Sequence, residues 1–239
     1  MTTPRSRSRR HLSVALVAVS LFAAAVPRGA TFIAPDALDV GKLLPPPPAD
    51  DSPAGLADLE TVLRLQADRT PAQVARATRV VDQSVFTFAA PVLGAWFTAG
   101  NLPCTAALFK VITDEGYAVT LQTKHLWTRD RPYIRDLHVQ PVPRRSRSPS
   151  YPSGHASDAA TWAVILTELF PEHREAFQQQ VREAMWGRVI GGSHFPTYTQ
   201  AGRVLGEAIG REMLKSPAMQ QAIEETRRET APFLPRKAA

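Results

Sequence analysis

The sequence predicts an all-α fold, a single-domain helical bundle, on three observations. From residue 52 onward apolar residues recur at helical spacing. No stretch sustains the apolar–polar alternation of a half-buried strand, and no glycine-rich phosphate loop follows a strand. Finally, 239 residues are enough for one domain with a real core but not comfortably for two. With 44% hydrophobic and 21% charged residues, the composition excludes wholesale disorder.

Residues 1–30 read as a signal peptide. Arg5, Arg7, Arg9 and Arg10 form a positive start, and Leu12 to Val26 an apolar run too short for a comfortable transmembrane span. Ala23, Ala24, Ala25, Gly29 and Ala30 offer small-residue cleavage contexts, and Arg28 moves the expected cut toward Ala25. This predicts a periplasmic or secreted bacterial protein, with an uncleaved anchor as the alternative. Residues 31–55 are expected to be extended, because Leu43-Leu44-Pro45-Pro46-Pro47-Pro48 favours polyproline II. That segment packs along the surface or bridges to a second copy in a homo-oligomer.

The helical domain is expected over residues 56–231, with a tail at 232–239. Ser52-Pro53 supplies a cap and a first-turn proline ahead of Leu56, Leu59 and Leu63. Thr70-Pro71-Ala72-Gln73 is a capping-box pattern opening a helix through Val81. Further helices are predicted near 84–99, 103–125, 155–170, 172–190, 196–214 and 216–231. Between them, Gln140 to Ser150 holds Arg144, Arg145 and Arg147 among prolines and serines. It reads as a solvated connection, or more sharply as a basic rim that draws anionic substrates. Cys104 is the only cysteine, which rules out an intrachain disulfide and suits a buried small hydrophobe.

The net charge of +6 does not indicate a nucleic-acid partner. Five of the 28 basic residues lie in the first thirty positions, and the remaining 23 face 22 acidic residues, a net of +1.

Three segments share a chemistry. Lys124 and Arg131, with Pro132 forcing Arg131 out of regular helix, offer fixed cations for the oxygens of a phosphate ester. Pro152-Ser153-Gly154-His155 precedes an apolar helical run. Ser153 is then an N-cap, Gly154 allows close backbone approach, and the helix N-terminus is an anion site. His155 stands where it can give a proton to a leaving oxygen. Arg188 and His194 flank the turn Gly191-Gly192-Ser193, which lets both reach one point, and His194 can attack phosphorus through an imidazole nitrogen. His11, His125, His138 and His173 are expected to be surface or satisfied core groups.

In this order and at these intervals, Lys-x6-Arg-Pro, Pro-Ser-Gly-His and Arg-x5-His resemble the three-part signature of the PAP2 superfamily. The leader, the Pro-rich segment and the helix around Ala201-Gly202-Arg203 are similar to exported bacterial class A-type non-specific acid phosphatases. The resemblance implies a helical bundle of the acid phosphatase–vanadium haloperoxidase type, with no metal or other cofactor in the phosphatase site. It implies cationic phosphate ligands at Lys124, Arg131 and Arg188, donors at Ser153 and Gly154, a general acid at His155 and a nucleophile at His194. The expected activity is that of an acid phosphatase, a phosphoric monoester hydrolase acting on small phosphomonoesters through a phosphohistidine. Inorganic phosphate and vanadate are the expected inhibitors. The family pattern continues His-x3-Asp, with the aspartate orienting the nucleophile, whereas Tyr198 occupies that position here. The alternative is therefore an impaired relative that binds phosphate-like anions. Asp158 is a conceivable substitute for the missing acid, although a solvent-facing carboxylate is the plainer expectation.

Overall fold

The computed structural model describes residues 31–142 and 144–235. The predicted signal peptide and the last four residues of the tail lie outside the described residues. Ten α-helices are described: α1 (Val40–Leu43), α2 (Pro53–Asp68), α3 (Pro71–Arg79), α4 (Val85–Leu93), α5 (Pro103–Trp127), α6 (Pro132–Arg135), α7 (Gly154–Leu169), α8 (Arg174–Ile190), α9 (Pro196–Met213) and α10 (Pro217–Thr230). Among the described residues there is no strand, and no helix is long and apolar enough to cross a membrane. The all-α expectation holds.

The bundle is organised around α7. Its buried residues, including Ala156, Ala159, Ala160, Trp162, Ala163, Ile165 and Leu166, fall on nearly every side, as expected of a helix surrounded by others. Helices α5, α8 and α9 pack against it. The α7–α9 crossing is set by small residues: a Cβ on Gly202 would lie 2.3 Å from the Ser153 carbonyl oxygen, and one on Gly206 2.1 Å from that of Ser157. The side chain is absent because backbone occupies its place. Gly206→Ala is therefore expected to force the helices apart and to cost roughly 1–3 kcal/mol, read as a lower thermal midpoint.

Sequence-local caps form where expected. The Ser52 side chain accepts the Gly55 N–H, and Thr70 and Gln73 make the reciprocal capping box. Other helix starts are capped from a distance. Asp58 on α2 accepts the Thr197 N–H of α9 at 3.1 Å and also its hydroxyl. Glu229 on α10 accepts the N–H groups of Cys104 (2.7 Å) and Thr105 (2.8 Å) at the start of α5. Glu115 on α5 pins the N-terminal segment by accepting from Phe32 and Ile33.

Three expectations are corrected. The helix predicted over 84–99 ends at Leu93, because Pro91 interrupts its bonding and Gly94 leaves at φ 94°. Residues 31–55 are not wholly extended: Asp39 caps the single turn α1 through the Lys42 N–H. Cys104 is only partly buried, since it lies in the first turn of α5 beside Glu229. As Pro132 predicts, Arg131 lies outside regular helix, beyond the end of the helix that carries Lys124. That helix stops at Trp127, Thr128 turns the chain at φ 42°, and Arg131 is extended ahead of α6.

Candidate active site

The predicted residues come from four places. Lys124 lies in the last turn of α5 and Arg131 just before α6. Ser153, Gly154 and His155 form the start of α7. Arg188 is in the last turn of α8, and His194 sits in the loop leading to α9. Lys124 (3% exposed), Arg188 (4%) and His194 (1%) are buried, as are Arg131 and Ser153, while Gly154 and His155 are partly buried. The backbone brings the segments together. Ser193 and His194 both donate to the Arg188 carbonyl, at 3.0 and 3.3 Å, across a turn where Gly192 has φ 67°. The Ser153 N–H donates to the Tyr198 carbonyl at 2.9 Å, which ties the start of α7 to α9.

Around this centre the cations are differently satisfied. Lys124 Nζ donates to the carbonyls of Pro149 (2.8 Å) and Pro152 (2.5 Å). Arg131 donates to the Ser148 carbonyl and hydroxyl, each at 3.0 Å, to the Ser193 carbonyl at 3.2 Å, and to His194 Nε2 at 3.1 Å. By contrast, Arg188 Nε and Nη1 and Ser153 Oγ are buried with no hydrogen-bond partner among the described residues. Ser153 holds the N-cap position but makes no side-chain cap bond, which corrects the expected capping role. Buried donors without acceptors are costly, and an oxyanion has the acceptor chemistry that such donors need.

The electrostatics follow from three buried cations close together. Burial, reinforced by Arg131, lowers the Lys124 pKa to about 7; Asp158 opposes this, and Arg188 adds a smaller depression. Burial also brings Arg188 down to about 10. His155 falls to about 4 through burial and then Arg188, although the Val81 carbonyl, 3.1 Å from its Nε2, pulls the other way. His194 is held well below its ordinary value by burial and then by Arg131, Lys124 and Arg188.

Tyr198 does not replace the missing acid. Its hydroxyl accepts from Arg129 Nε at 3.0 Å, and its ring is edge-packed between Tyr151 and Phe195. Nor is Asp158 solvent-facing. It is partly buried one turn into α7, where desolvation raises its pKa to about 7 and Lys124 partly offsets that rise. His194 bonds instead to Arg131 and, through Nδ1, to the Ser150 hydroxyl at 3.3 Å. Ser148, Ser150, Arg129 and Val81 were not singled out from the sequence, which holds no motif that marks them. The 140–150 loop is tied to the site, because Tyr133 exchanges hydrogen bonds with Ser146 while Ser148 holds Arg131. Arg144, Arg145 and Arg147 remain exposed, and the Arg145 guanidinium lies 5.3 Å from the Tyr133 ring centroid.

The family model of the PAP2 superfamily matches residues 103–221, a span that contains all seven predicted site residues and Tyr198. A non-specific acid phosphatase of Salmonella typhimurium is 30% identical over 194 residues, covering 78% of this chain and 78% of its own. The chain belongs to the PAP2 superfamily. A non-specific acid phosphatase of Providencia stuartii is 26% identical over 237 residues, 91% of this chain and 94% of that one. Among solved structures, a bacterial vanadium-dependent iodoperoxidase superposes with a TM-score of 0.57 at 20% identity, over 74% of this chain and 54% of that one. At that identity the likeness bears on the PAP2 fold alone.

The PAP2 pocket sets binding against stability. Arg188 is a buried cation beside two others, with donors left over. Without an anion, Arg188→Met is expected to stabilise the fold by about 1 kcal/mol or more, a rise in Tm of roughly 2–4 °C. The same variant should lose most of its affinity for inorganic phosphate. Differential scanning fluorimetry with and without phosphate checks both.

Proposed function

We propose that this PAP2 protein is an exported acid phosphatase that hydrolyses small phosphomonoesters through a phosphohistidine on His194. The observation that carries this reading is the pairing of a buried His194, Nε2 beside Arg131, with unpartnered donors on Arg188 and Ser153. The non-bridging oxygens of the ester sit among Lys124, Arg131, Arg188, Ser153 and the Gly154 backbone, where fixed cations stabilise charge developing at phosphorus. His194 Nε2 attacks phosphorus, the ester P–O bond breaks, and the leaving oxygen takes a proton from His155. Neutral His155 then accepts a proton from water as the water oxygen attacks phosphorus and the P–N bond breaks. Phosphate departs and both histidines are restored.

The Val81 carbonyl fixes the lasting His155 proton on Nε2, so the transferable proton resides on Nδ1. A bound phosphoryl group offsets the cations that depress His155, so its pKa rises in the complex. An acidic optimum follows, because His155 must be protonated while His194 stays neutral. The charged start and apolar run of residues 1–30 support export.

The test is hydrolysis of p-nitrophenyl phosphate with vanadate as a competitive inhibitor, followed by rapid denaturation after mixing with phosphorus-labelled substrate. A labelled protein that is alkali-stable and acid-labile is expected, as a P–N bond requires. The second reading, an anion binder without turnover, is favoured by the absent carboxylate at position 198. Tight vanadate binding without hydrolysis would select it.

A further inference from the structure

We infer that Ser150 positions the His194 imidazole in this chain, a task for which the structure offers His194 neither Tyr198 nor Asp158 as a partner. The inference rests on the phosphohistidine reading and adds a residue outside the three motifs.

Hydrogen-bond logic fixes the assignment. Arg131 can only donate, so the His194 Nε2 it touches at 3.1 Å must carry the lone pair. The ring proton is therefore on Nδ1, and the acceptor within reach is the Ser150 hydroxyl oxygen at 3.3 Å. The contact is at the long end of the range, as hydrogen bonds at catalytic centres commonly are before substrate binds. The bond holds the tautomer whose free lone pair is on Nε2, the nitrogen beside the phosphate cations.

Ser150 is itself held. It is 0% exposed, and its N–H donates to the Arg129 carbonyl at 2.8 Å. Arg129 is clamped in turn: its side chain donates to the Tyr198 hydroxyl, the Pro48 carbonyl and Asp50. The tyrosine at the family's acid position thus acts at one remove, by steadying the residue whose carbonyl anchors Ser150. A hydroxyl differs from a carboxylate in one respect. It orients the ring without adding negative charge, so it does not offset the burial and the nearby Arg131, Lys124, Arg188 and His155 that hold His194 well below its ordinary value. Holding the nucleophile uncharged in acid is useful to an enzyme whose other histidine must be protonated.

The experiment has a tautomer arm and a kinetic arm. In full-length wild-type protein with nitrogen-15-labelled histidine, the His194 imidazole is expected as the Nδ1–H tautomer. Finding the Nε2–H tautomer would overturn the inference without any variant. Ser150→Ala is expected to lower kcat about 10- to 100-fold, to leave KM and phosphate inhibition within about threefold, and to blur the tautomer signal. Ser150→Asp, which restores a carboxylate, is expected to raise the pH of the acidic limb of kcat/KM because it favours a protonated His194. An active Ser150→Ala with an unchanged tautomer beside an inactive His194→Ala would sink the role of Ser150 alone. Wild-type activity in His194→Ala would sink the phosphohistidine reading instead.

Discussion

Replacing His194 by alanine is expected to lower kcat for p-nitrophenyl phosphate by at least about 10³-fold while inorganic phosphate still binds. The reasoning separates binding from bond-making. In the proposed complex the phosphate oxygens would sit among Lys124, Arg131, Arg188, Ser153 and the backbone at Gly154, and none of these is removed. What disappears is the only nitrogen lone pair that Arg131 holds inside the pocket. Arg131 keeps its bonds to Ser148 and Ser193, so its guanidinium stays in place. Affinity for phosphate within about threefold of wild type, with no labelled intermediate, is the expected pair of results. Loss of both activity and binding would mean that His194 supports the cation cluster rather than the chemistry. The apolar gap at a fully enclosed site costs some stability, so thermal unfolding should be followed alongside.

The cluster itself was legible in the sequence because its chemistry is carried by side chains at fixed intervals. Lys124 with Arg131, Ser153 to His155, and Arg188 with His194 are each local patterns, and the turns and helix ends that aim them carry glycine or proline. Caps within one segment, Ser52 and Thr70, were readable for the same reason. What escaped lies between segments distant in the chain. The Val81 carbonyl that orients His155 belongs to the backbone, which no residue pattern reports. Asp58 and Glu229 cap helices more than a hundred residues away, and neither position looks unusual locally. Ser150 sits three residues before Ser153, yet its importance depends on a loop from α8 arriving at its hydroxyl. The helix over 84–99 was overextended because apolar residues continue through Trp96 and Phe97. Those rings pack against each other and against Phe170 from irregular chain beyond Gly94. Asp158 was misread since helical spacing alone does not reveal that Lys124 crosses beside it.

For His155→Ala, the size of the loss is expected to depend on the leaving group. An alkyl phosphate expels a strongly basic alkoxide unless it is protonated as the P–O bond breaks, so its kcat should fall by about 10²–10⁴-fold. The p-nitrophenolate anion is a weak base that leaves with little help, so its loss should be much smaller. A uniform fall for both substrates would assign His155 a structural role. The pH behaviour carries a sign. In the free protein His155 is depressed to about 4 and Lys124 to about 7, both chiefly by burial. An anion in the pocket favours the charged form of each, so both values rise on binding. Phosphate binding should therefore take up protons, through His155 near pH 5–6 and increasingly through Lys124 near pH 7–8. Calorimetry in two buffers of different ionisation enthalpy measures that uptake directly, and His155→Ala should remove the lower-pH component while leaving the upper one. Since the acid must be protonated in the complex, wild-type kcat falls as pH rises through the elevated His155 value. The kcat of His155→Ala should lose that descending limb. Retention of the limb in the variant would place the general acid elsewhere, and Asp158, which shares the pocket's charge through Lys124, would then be the group to change next.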